Sequence, residues 1–393
     1  MRLKLLSCLV LFTSCITPFT PRGIESEAGS LVIEGDIIVY GDTKVYLSLL
    51  QELNSNYGDI RYLTHANVWV EGQQGDKYTG FPHMETNEPP YFLIDTRALS
   101  LEQQYKLCVH LPDNTLYESD FLPPLITPQI DTIDFTVNES GTAVDFHVTA
   151  YGDDNASRFY KWVYTDDWEV ISSYNTSIYF DEISRVFRLY PPGLPYSPVF
   201  YCWNRSKSTT IIARTDHLQE NIVYQQTLNT VYGNDDRINY LYSMELHQMS
   251  ITKEAYTYWS ILHRNTNEIG GIFAPQPSEL YGNIRCISHP ELKVFGYISA
   301  GTRSVKRFFV PTQDIGIYSP YICDPSYIDV ILAQFEEDQR PTIFQYHGLG
   351  FRPVGTSPLP SDSDSWEWLP APCVDCTTRG TKNKPAFWPN DHI

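Results

Sequence analysis

Cys15 is the residue whose surroundings most clearly predict a chemical modification. Two basic residues, Arg2 and Lys4, precede a short apolar run that ends in a small residue, Ser14, directly before this cysteine. That order is typical of a bacterial secretory signal, and Leu11 to Cys15 resembles the motif at which lipoprotein signal peptidase cuts. We therefore expect a signal peptide that ends before Cys15 and a diacylated cysteine as the first residue of the mature protein.

The amino-terminal region is predicted to anchor the protein and not to cross a membrane. Its apolar run is much shorter than the roughly 18 to 20 residues that a spanning helix needs, and no later run approaches that length. Residues 1–14 are assigned to the signal peptide and residues 15–29 to a lipidated linker. Cys8 has almost no apolar run before it, which places it in the discarded peptide. The alternative is an ordinary signal peptide followed by an incidental cysteine.

Six further cysteines would lie in a compartment that permits oxidation, so disulfide bonds are the default expectation. The candidates for pairing are Cys202, Cys286, Cys323, Cys373 and Cys376. Cys108 can be bonded or free, and the sequence does not choose among the pairings. Cys373 and Cys376 have the spacing of a redox motif, but prolines precede them and Gly380 follows, which favours a structural tether. A four-cysteine zinc site would need a second close pair, and the sequence has none.

Catalytic chemistry would require a nucleophile with its base, paired carboxylates or a metal cluster. The sequence has no G-x-S-x-G, H-E-x-x-H or phosphate-binding glycine motif. The acidic pairs Asp153-Asp154, Asp166-Asp167 and Asp235-Asp236 are compatible with calcium binding or glycoside hydrolysis, but isolated pairs usually lie on loop surfaces. The histidines lack the spacing of metal ligands. We therefore predict no catalytic residue, no metal and no cofactor, with a hydrolase of unrecognised site as an alternative.

The charge balance narrows the range of partners. The formal charge is −19 at pH 7, and loss of the signal peptide with its two basic residues would make the charge still more negative. Repulsion from phosphate backbones disfavours nucleic acid, whereas a solvated acidic surface or a neutral or cationic ligand accounts for the excess. Aromatic residues make up 14% of the chain, with 28 tyrosines, which suits packed sheet surfaces first and sugar or peptide binding second.

The pattern of short strands and turns predicts a mainly β protein of two domains, because the chain exceeds the size at which one core usually stops growing. Leu31 to Leu50 has the pattern of two strands, and residues 105–119 that of a hairpin around Pro112-Asp113-Asn114. The further strand candidates are Ala66 to Glu71 and Tyr91 to Ile94. Residues 30–125 are therefore predicted to form an immunoglobulin-like or fibronectin-like sandwich.

Residues 126–393 are predicted to form a larger β-rich domain with one or two inserted helices. Ala143 to Thr149 alternates apolar and polar residues with the period of a half-buried strand. The strongest helix is predicted at Thr252 to Arg264, with Ser250 or Thr252 as its cap. Its apolar face would consist of Ala255, Tyr258, Trp259 and Leu262. The carboxy-terminal part has little periodicity, and we expect an irregular segment that disulfides hold in place.

Five stretches, taken in order, share a pattern with one known family. Leu31 to Gly35 is similar to that family's opening strand, and Tyr160 to Tyr164 and Tyr201-Cys202-Trp203 are similar to two later strands. The similarity is densest from Glu254 to Arg307 and ends with Cys373 to Trp388. In this order the stretches resemble the Bacteroidota lipoproteins of domain of unknown function 4249, over nearly the whole predicted mature chain.

This resemblance implies a role at the outer membrane. Members of the family are associated with TonB-dependent transporters, so we expect a binding or accessory subunit of a TonB-dependent nutrient uptake system, with an unknown ligand. The protein would be lipid-anchored and would face the cell surface. Ile16 to Thr20 contains no acidic residue, unlike many surface lipoproteins of these bacteria, so the periplasmic face stays open. The alternative function is a free-standing surface lipoprotein that binds glycans or mediates adhesion.

Overall fold

The computed structural model describes residues 29–50, 60–85, 88–181, 183–184, 186–267, 280, 282–318, 323, 333–334, 347–356 and 365–390. Cys15, the predicted signal peptide and nearly all of the predicted linker lie outside these residues. Within them the protein is mainly β, as the sequence predicts, with several sheets and few helices. None of the helices in these ranges is long and apolar enough to span a membrane.

The first eight strands come from the predicted first domain. They are β1 (Leu31–Gly35), β2 (Ile37–Ile38), β3 (Gly41–Leu49), β4 (Asn67–Gly72), β5 (Lys77–Glu85), β6 (Glu88–Thr96), β7 (Tyr105–His110) and β8 (Leu116–Ser119).

The next nine strands and the longest helix follow. They are β9 (Ile130–Val137), β10 (Ala143–Tyr151), β11 (Phe159–Ile171), β12 (Ile178–Asp181), β13 (Val186–Leu189), β14 (Tyr201–Lys207), β15 (Ile211–Arg214), β16 (Ile222–Tyr232), β17 (Leu241–Ser250) and α1 (Lys253–Asn267).

The remaining elements are short. They are β18 (Ile284–Cys286), β19 (Val294–Phe295), β20 (Ala300–Gly301), β21 (Ser304–Pro311), α2 (Thr312–Ile315), β22 (Ala333–Gln334), β23 (Phe351–Thr356), β24 (Ser365–Pro370) and α3 (Ala371–Val374), with 3-10 turns at Asp236–Ile238 and Cys376–Thr378.

The first sheet is sandwich-like or barrel-like, with nine strands in the order β18-β8-β7-β4-β5-β6-β3-β1-β19. Its core follows from period-two alternation, since Leu31 and Ile33 of β1 are buried and Glu34 is exposed. Strands β18 and β19, which form its two ends, come from beyond α1. A domain boundary between residues 125 and 126 places β18 and β19 in the second predicted domain, although both pair with strands of the first. The sequence does not reveal this pairing, because strands of two or three residues carry no periodic signal.

The hairpin predicted over residues 105–119 is confirmed as β7 and β8. Asn114 adopts φ 68° in its turn, and Asp113 Oδ1 accepts a hydrogen bond of 2.9 Å from the Thr115 backbone N–H. Asparagine tolerates this left-handed conformation, and aspartate stabilises the turn by bonding its own backbone two residues on. The two strands predicted between residues 31 and 50 are β1 and β3, which pair antiparallel.

The second half of the chain packs two sheets face to face. One sheet has the order β16-β10-β9, and the other has the order β14-β11-β17-β21, with β15 pairing β11. Their shared core includes Phe146 of β10 and Tyr242 of β17, whose rings stack at 4.7 Å, together with Trp162 of β11. The strand predicted at residues 143–149 is confirmed as part of β10.

Helix α1 confirms the helix predicted at residues 252–264. The Thr252 hydroxyl accepts a hydrogen bond of 3.1 Å from the Ala255 backbone N–H, so threonine is the cap. Ala255 and Tyr258 are buried, and Trp259 is partly buried beside Lys161 of β11. The apolar face of the helix therefore contributes to packing.

Two disulfides join the carboxy-terminal part to the rest of the protein, namely Cys202–Cys376 and Cys323–Cys373. Cys108 is free and buried, and burial raises the pKa of its thiol to about 12. Among the five pairing candidates, the prediction for Cys286 was wrong, since its buried thiol is also free.

The sheet register explains why the two free thiols do not pair. Cys286 is opposite Tyr117 of β8, whereas Cys108 is opposite Glu118 of the same strand. Strand β8 therefore separates the two cysteines by about 10 Å, beyond the Cα distance that a disulfide spans. Tyr117 and Glu118 also point to opposite faces of the sheet, so the two thiols do too.

Candidate functional site

Strand β11 places acidic side chains in the interior of the second half of the chain. It pairs with β14 along one edge and with β17 along the other, so it lies in the interior of its sheet. Asp166 points into the core between the two sheets, and Asp167 and Glu169 point to the opposite face. All three carboxylates are nearly inaccessible to solvent, with exposed fractions of 0%, 1% and 2%.

The expectation that the pair Asp166-Asp167 lies on a loop surface was therefore wrong. The pair interrupts the aromatic run of Tyr160, Trp162, Tyr164 and Trp168, and all four of these rings are buried. Reading this run as one long central strand would have placed the carboxylates inside. In the pair Asp235-Asp236, Asp235 instead caps the 3-10 turn that Asp236 begins, and it accepts a hydrogen bond from the Arg237 backbone N–H.

On the outer face of the sheet, Asp167 is held by two arginines. Arg205 Nε donates to its Oδ1 at 2.7 Å, and Arg307 contacts its Oδ2 at 3.4 Å. Arg307 also donates to Ser243 Oγ at 3.1 Å and forms an ion pair with Glu245. These contacts satisfy the buried charge on Asp167 and fix the Arg307 guanidinium on the sheet surface.

Glu245 is the second acidic residue that contacts Arg307. His247 Nε2 lies 2.9 Å from its Oε1, and the pKa of Glu245 falls to about 2 because of the hydrogen bond to His247 and the positive charge of Arg307. The carboxylate therefore stays ionised over the physiological range. Within the described residues, no group of three histidine, cysteine or acidic side chains is placed to hold a metal ion.

The carboxy-terminal segment, residues 376–390, covers part of this face. The disulfide to Cys202 fixes its start on β14, and Thr381 exchanges two backbone hydrogen bonds with Trp203 of 2.7 and 2.8 Å. Farther along, the Trp388 indole donates to Glu169 Oε1 at 2.7 Å, and the Phe387 ring lies over Arg307. The segment is thus bound to the sheet by covalent, polar and aromatic contacts.

An open cavity of about 710 Å³ lies beside this segment, where β11 and β21 end and β17 begins. Its walls include an acidic side chain and several aromatic rings from different elements. They are Glu169, Tyr201, Tyr240, Phe309 and Tyr318, with Pro389 adding apolar surface and Asn239, Thr312 and Gln313 adding polar groups. We call it the aromatic cavity. The sequence did not reveal this cavity, because its residues are far apart in the chain. Its tyrosines also cannot be told apart from the many other tyrosines of the sequence.

Tyr201 and Tyr240, two tyrosines of the aromatic cavity, keep their protons at neutral pH. Burial raises the pKa of Tyr201 to about 12, and a hydrogen bond with Tyr196 adds to this effect. Burial likewise raises the pKa of Tyr240 to about 12, reinforced by its interaction with Tyr318, whose ring lies edge-on at 6.4 Å. Both hydroxyls can therefore donate and accept hydrogen bonds, and neither is poised as a base.

Comparison with known proteins gives one family. No curated protein matches the chain. The model of the family described as "Domain of unknown function (DUF4249)" matches residues 16–307, which is most of the chain. The match begins directly after Cys15 and ends before Phe309 and Tyr318, so part of the aromatic cavity lies beyond it. The chain belongs to the DUF4249 family.

Proposed function

We propose that this protein is a ligand-binding lipoprotein of the outer membrane that serves a TonB-dependent uptake system. The aromatic cavity is the observation that carries the proposal, because it offers ring faces, hydroxyl groups and an amide in one open site. Sites for small ligands combine mostly apolar walls with a few placed polar groups in this way. The motif at Cys15 and the resemblance described above support the anchor and the transporter.

The walls of the aromatic cavity suit a ligand that has both an apolar face and hydroxyl or amide groups. Phe309 and Pro311 supply apolar surface, and the exposed ring of Tyr318 offers a stacking platform at the mouth. Tyr240 and Gln313 add a hydroxyl and an amide. Oligosaccharides and short peptides both meet this description.

Replacing Tyr240 and Tyr318 by alanine should abolish ligand binding in this cavity. A thermal-shift screen with oligosaccharides and short peptides would first identify compounds that raise the melting temperature, since a ligand that binds only the native state stabilises it. The double variant should lose that increase. Tyr224→Ala, at an exposed tyrosine on β16, should retain it. Equal shifts in both variants would place the ligand elsewhere.

The transporter is tested by purifying the protein from gently solubilised membranes. We expect a TonB-dependent transporter to be recovered with it, and repeated recovery of the lipoprotein alone would contradict this part of the proposal. The second candidate is a free-standing glycan-binding protein, which the tyrosine-lined cavity also favours. Binding on a glycan array, together with recovery of no transporter, would support the second candidate.

A further inference from the structure

One end of the first sheet carries several exposed apolar side chains. The sheet register defines this end, because Leu31 at the start of β1 is opposite Leu49 at the end of β3. The Gly29 backbone N–H donates to the Leu50 carbonyl at 2.8 Å, so the chain enters the first sheet here. We call it the entry end.

Neighbouring strands bring further chain segments to the entry end. The Leu49 N–H donates to the Arg61 carbonyl at 3.1 Å, which places Ile60 beside Leu50. Strands β5 and β6 pair up to Glu85 and Glu88, so the end of β5 and the start of β6 lie here as well.

On the other side of β1, Val294 pairs in parallel with Leu31, so the residues just before Val294 also lie at the entry end. The starts of β1, β6 and β19 and the ends of β3 and β5 thus lie at one end of the first sheet.

Among the residues that the structure describes, the entry end has four large apolar side chains that are exposed to solvent. Met84 and Ile60 have exposed fractions of 71% and 58%. The other large apolar side chains exposed there are Leu50 and Leu292. Because these residues come from distant parts of the sequence and converge on one edge, they form an apolar rim, in contrast to the scattered apolar residues of an ordinary surface.

We propose that the entry end rests on a neutral phospholipid bilayer, with Met84 and Ile60 inserted among the lipid head groups. The proposal depends on the lipid anchor of the proposed function. Only residues 16–28 separate Cys15 from Gly29, and a chain of that length spans at most about 45 Å when fully extended. An anchored protein thus holds its entry end close to the membrane, where weak apolar contacts suffice for docking.

The charges of the entry end are compatible with neutral lipid. Glu85 accepts a hydrogen bond of 2.8 Å from the Tyr91 hydroxyl, and Glu88 forms an ion pair of 2.9 Å with Lys44. Arg61 is exposed at the same end, and a long basic side chain can place its charge among head groups while its stem covers apolar surface. The formal charge of −19 opposes anionic lipid, which favours neutral phospholipid as the partner.

Strand β5 provides a matched pair of positions for a test. Its two ends lie about 30 Å apart, with Met84 near the entry end and Gln74 in the turn that precedes the strand. Met84→Cys and Gln74→Cys each introduce an exposed thiol for a fluorophore sensitive to its environment. The native free thiols, Cys108 and Cys286, are buried and should not react.

The labelled full-length protein, with acylation confirmed by mass spectrometry, is reconstituted in phosphatidylcholine vesicles that contain spin-labelled phosphatidylcholine. We expect several-fold stronger quenching of the label at Met84→Cys than at Gln74→Cys, with a shift of its emission to the blue. A label at Ile60→Cys should behave like the one at Met84→Cys.

Acylated protein that shows equal quenching at both ends, or none at Met84→Cys, would overturn the proposal and leave the anchor intact. Protein without an acyl chain at Cys15 would overturn the anchor itself and this proposal with it. The two failures are therefore distinguishable within one experiment.

Discussion

Asp166 is the residue whose burial has the clearest consequence for solution behaviour. It lies in the core between the two sheets, where it accepts a hydrogen bond from the Tyr242 hydroxyl and contacts Arg237 at 3.3 Å. Burial outweighs these partners and raises the pKa of the Asp166 carboxyl to about 6. A position that the sequence shows only as one of two adjacent aspartates is thus a titratable group of the core.

We predict that Asp166 makes the protein less stable as the pH rises from about 4 to about 6. In this interval the folded state retains a proton on Asp166 that the unfolded chain releases. The stabilisation that this proton gives is therefore present at low pH and is lost as the pH rises to the pKa of the folded state. A pKa difference of this size corresponds to about 3 kcal/mol. In Asp166→Asn that decrease should disappear, and Arg237 would still have Asp235 as a partner.

Urea unfolding at a series of pH values from 4 to 7 measures this effect, with the exposed Asp131→Asn as the control. The free energies of unfolding of the two variants should differ only in how they depend on pH across that interval. An unchanged slope in Asp166→Asn would show that another group governs the stability there.

At the scale of single elements, the sequence predicts the strands and helices that local residue patterns specify. The hairpin of β7 and β8 carries its own turn residues, and α1 carries its own cap and apolar face, so both could be recognised in isolation. Strands β18 and β19 are too short for a periodic signal, and they pair with segments more than a hundred residues away. The aromatic cavity likewise depends on segments that only the folded chain brings together.

The position of the carboxy-terminal segment depends on the disulfide between Cys202 and Cys376. We predict that replacing Cys202 and Cys376 together by serine will release it and lower the free energy of unfolding by about 2 to 5 kcal/mol, because the bond closes a long loop. The released segment should become sensitive to trypsin at Arg379 and Lys382. It should also expose Trp388, which is measurable by fluorescence.

Cys286→Ala is the control for this prediction, because it removes a buried thiol and keeps both disulfides. Its carboxy-terminal segment should stay resistant to trypsin. Resistance in the double serine variant as well would mean that the aromatic and polar contacts alone hold the segment.

At the scale of the whole molecule, one buried ion pair joins the first sheet to the second half of the chain. Lys161 of β11 lies 2.5 Å from Asp36, which connects β1 and β2, and both side chains are largely buried. Backbone contacts add to this junction, since β2 pairs in parallel with β20. Two parts that the sequence presents as successive domains therefore share an interface with a charged centre.

Asp36→Ala should destabilise the protein by about 3 to 5 kcal/mol, because it leaves the buried Lys161 ammonium without its ion-pair partner. The matched control is Asp42→Ala, which breaks an exposed ion pair with Arg97 and should cost about 1 kcal/mol or less. Urea unfolding at pH 7 measures both. A similar small loss in the two variants would show that water reaches Lys161.

The two disulfides are nested, and this order bears on how the protein is made. A chain that is exported from its amino terminus presents its cysteines as Cys108, Cys202, Cys286, Cys323, Cys373 and Cys376. Oxidation of neighbours as they emerge would join the first to the second, the third to the fourth and the fifth to the sixth. None of these bonds is native, because Cys202 must wait for the last cysteine of the chain. If the protein is exported as proposed above, its correct maturation therefore calls for a disulfide isomerase as well as an oxidase.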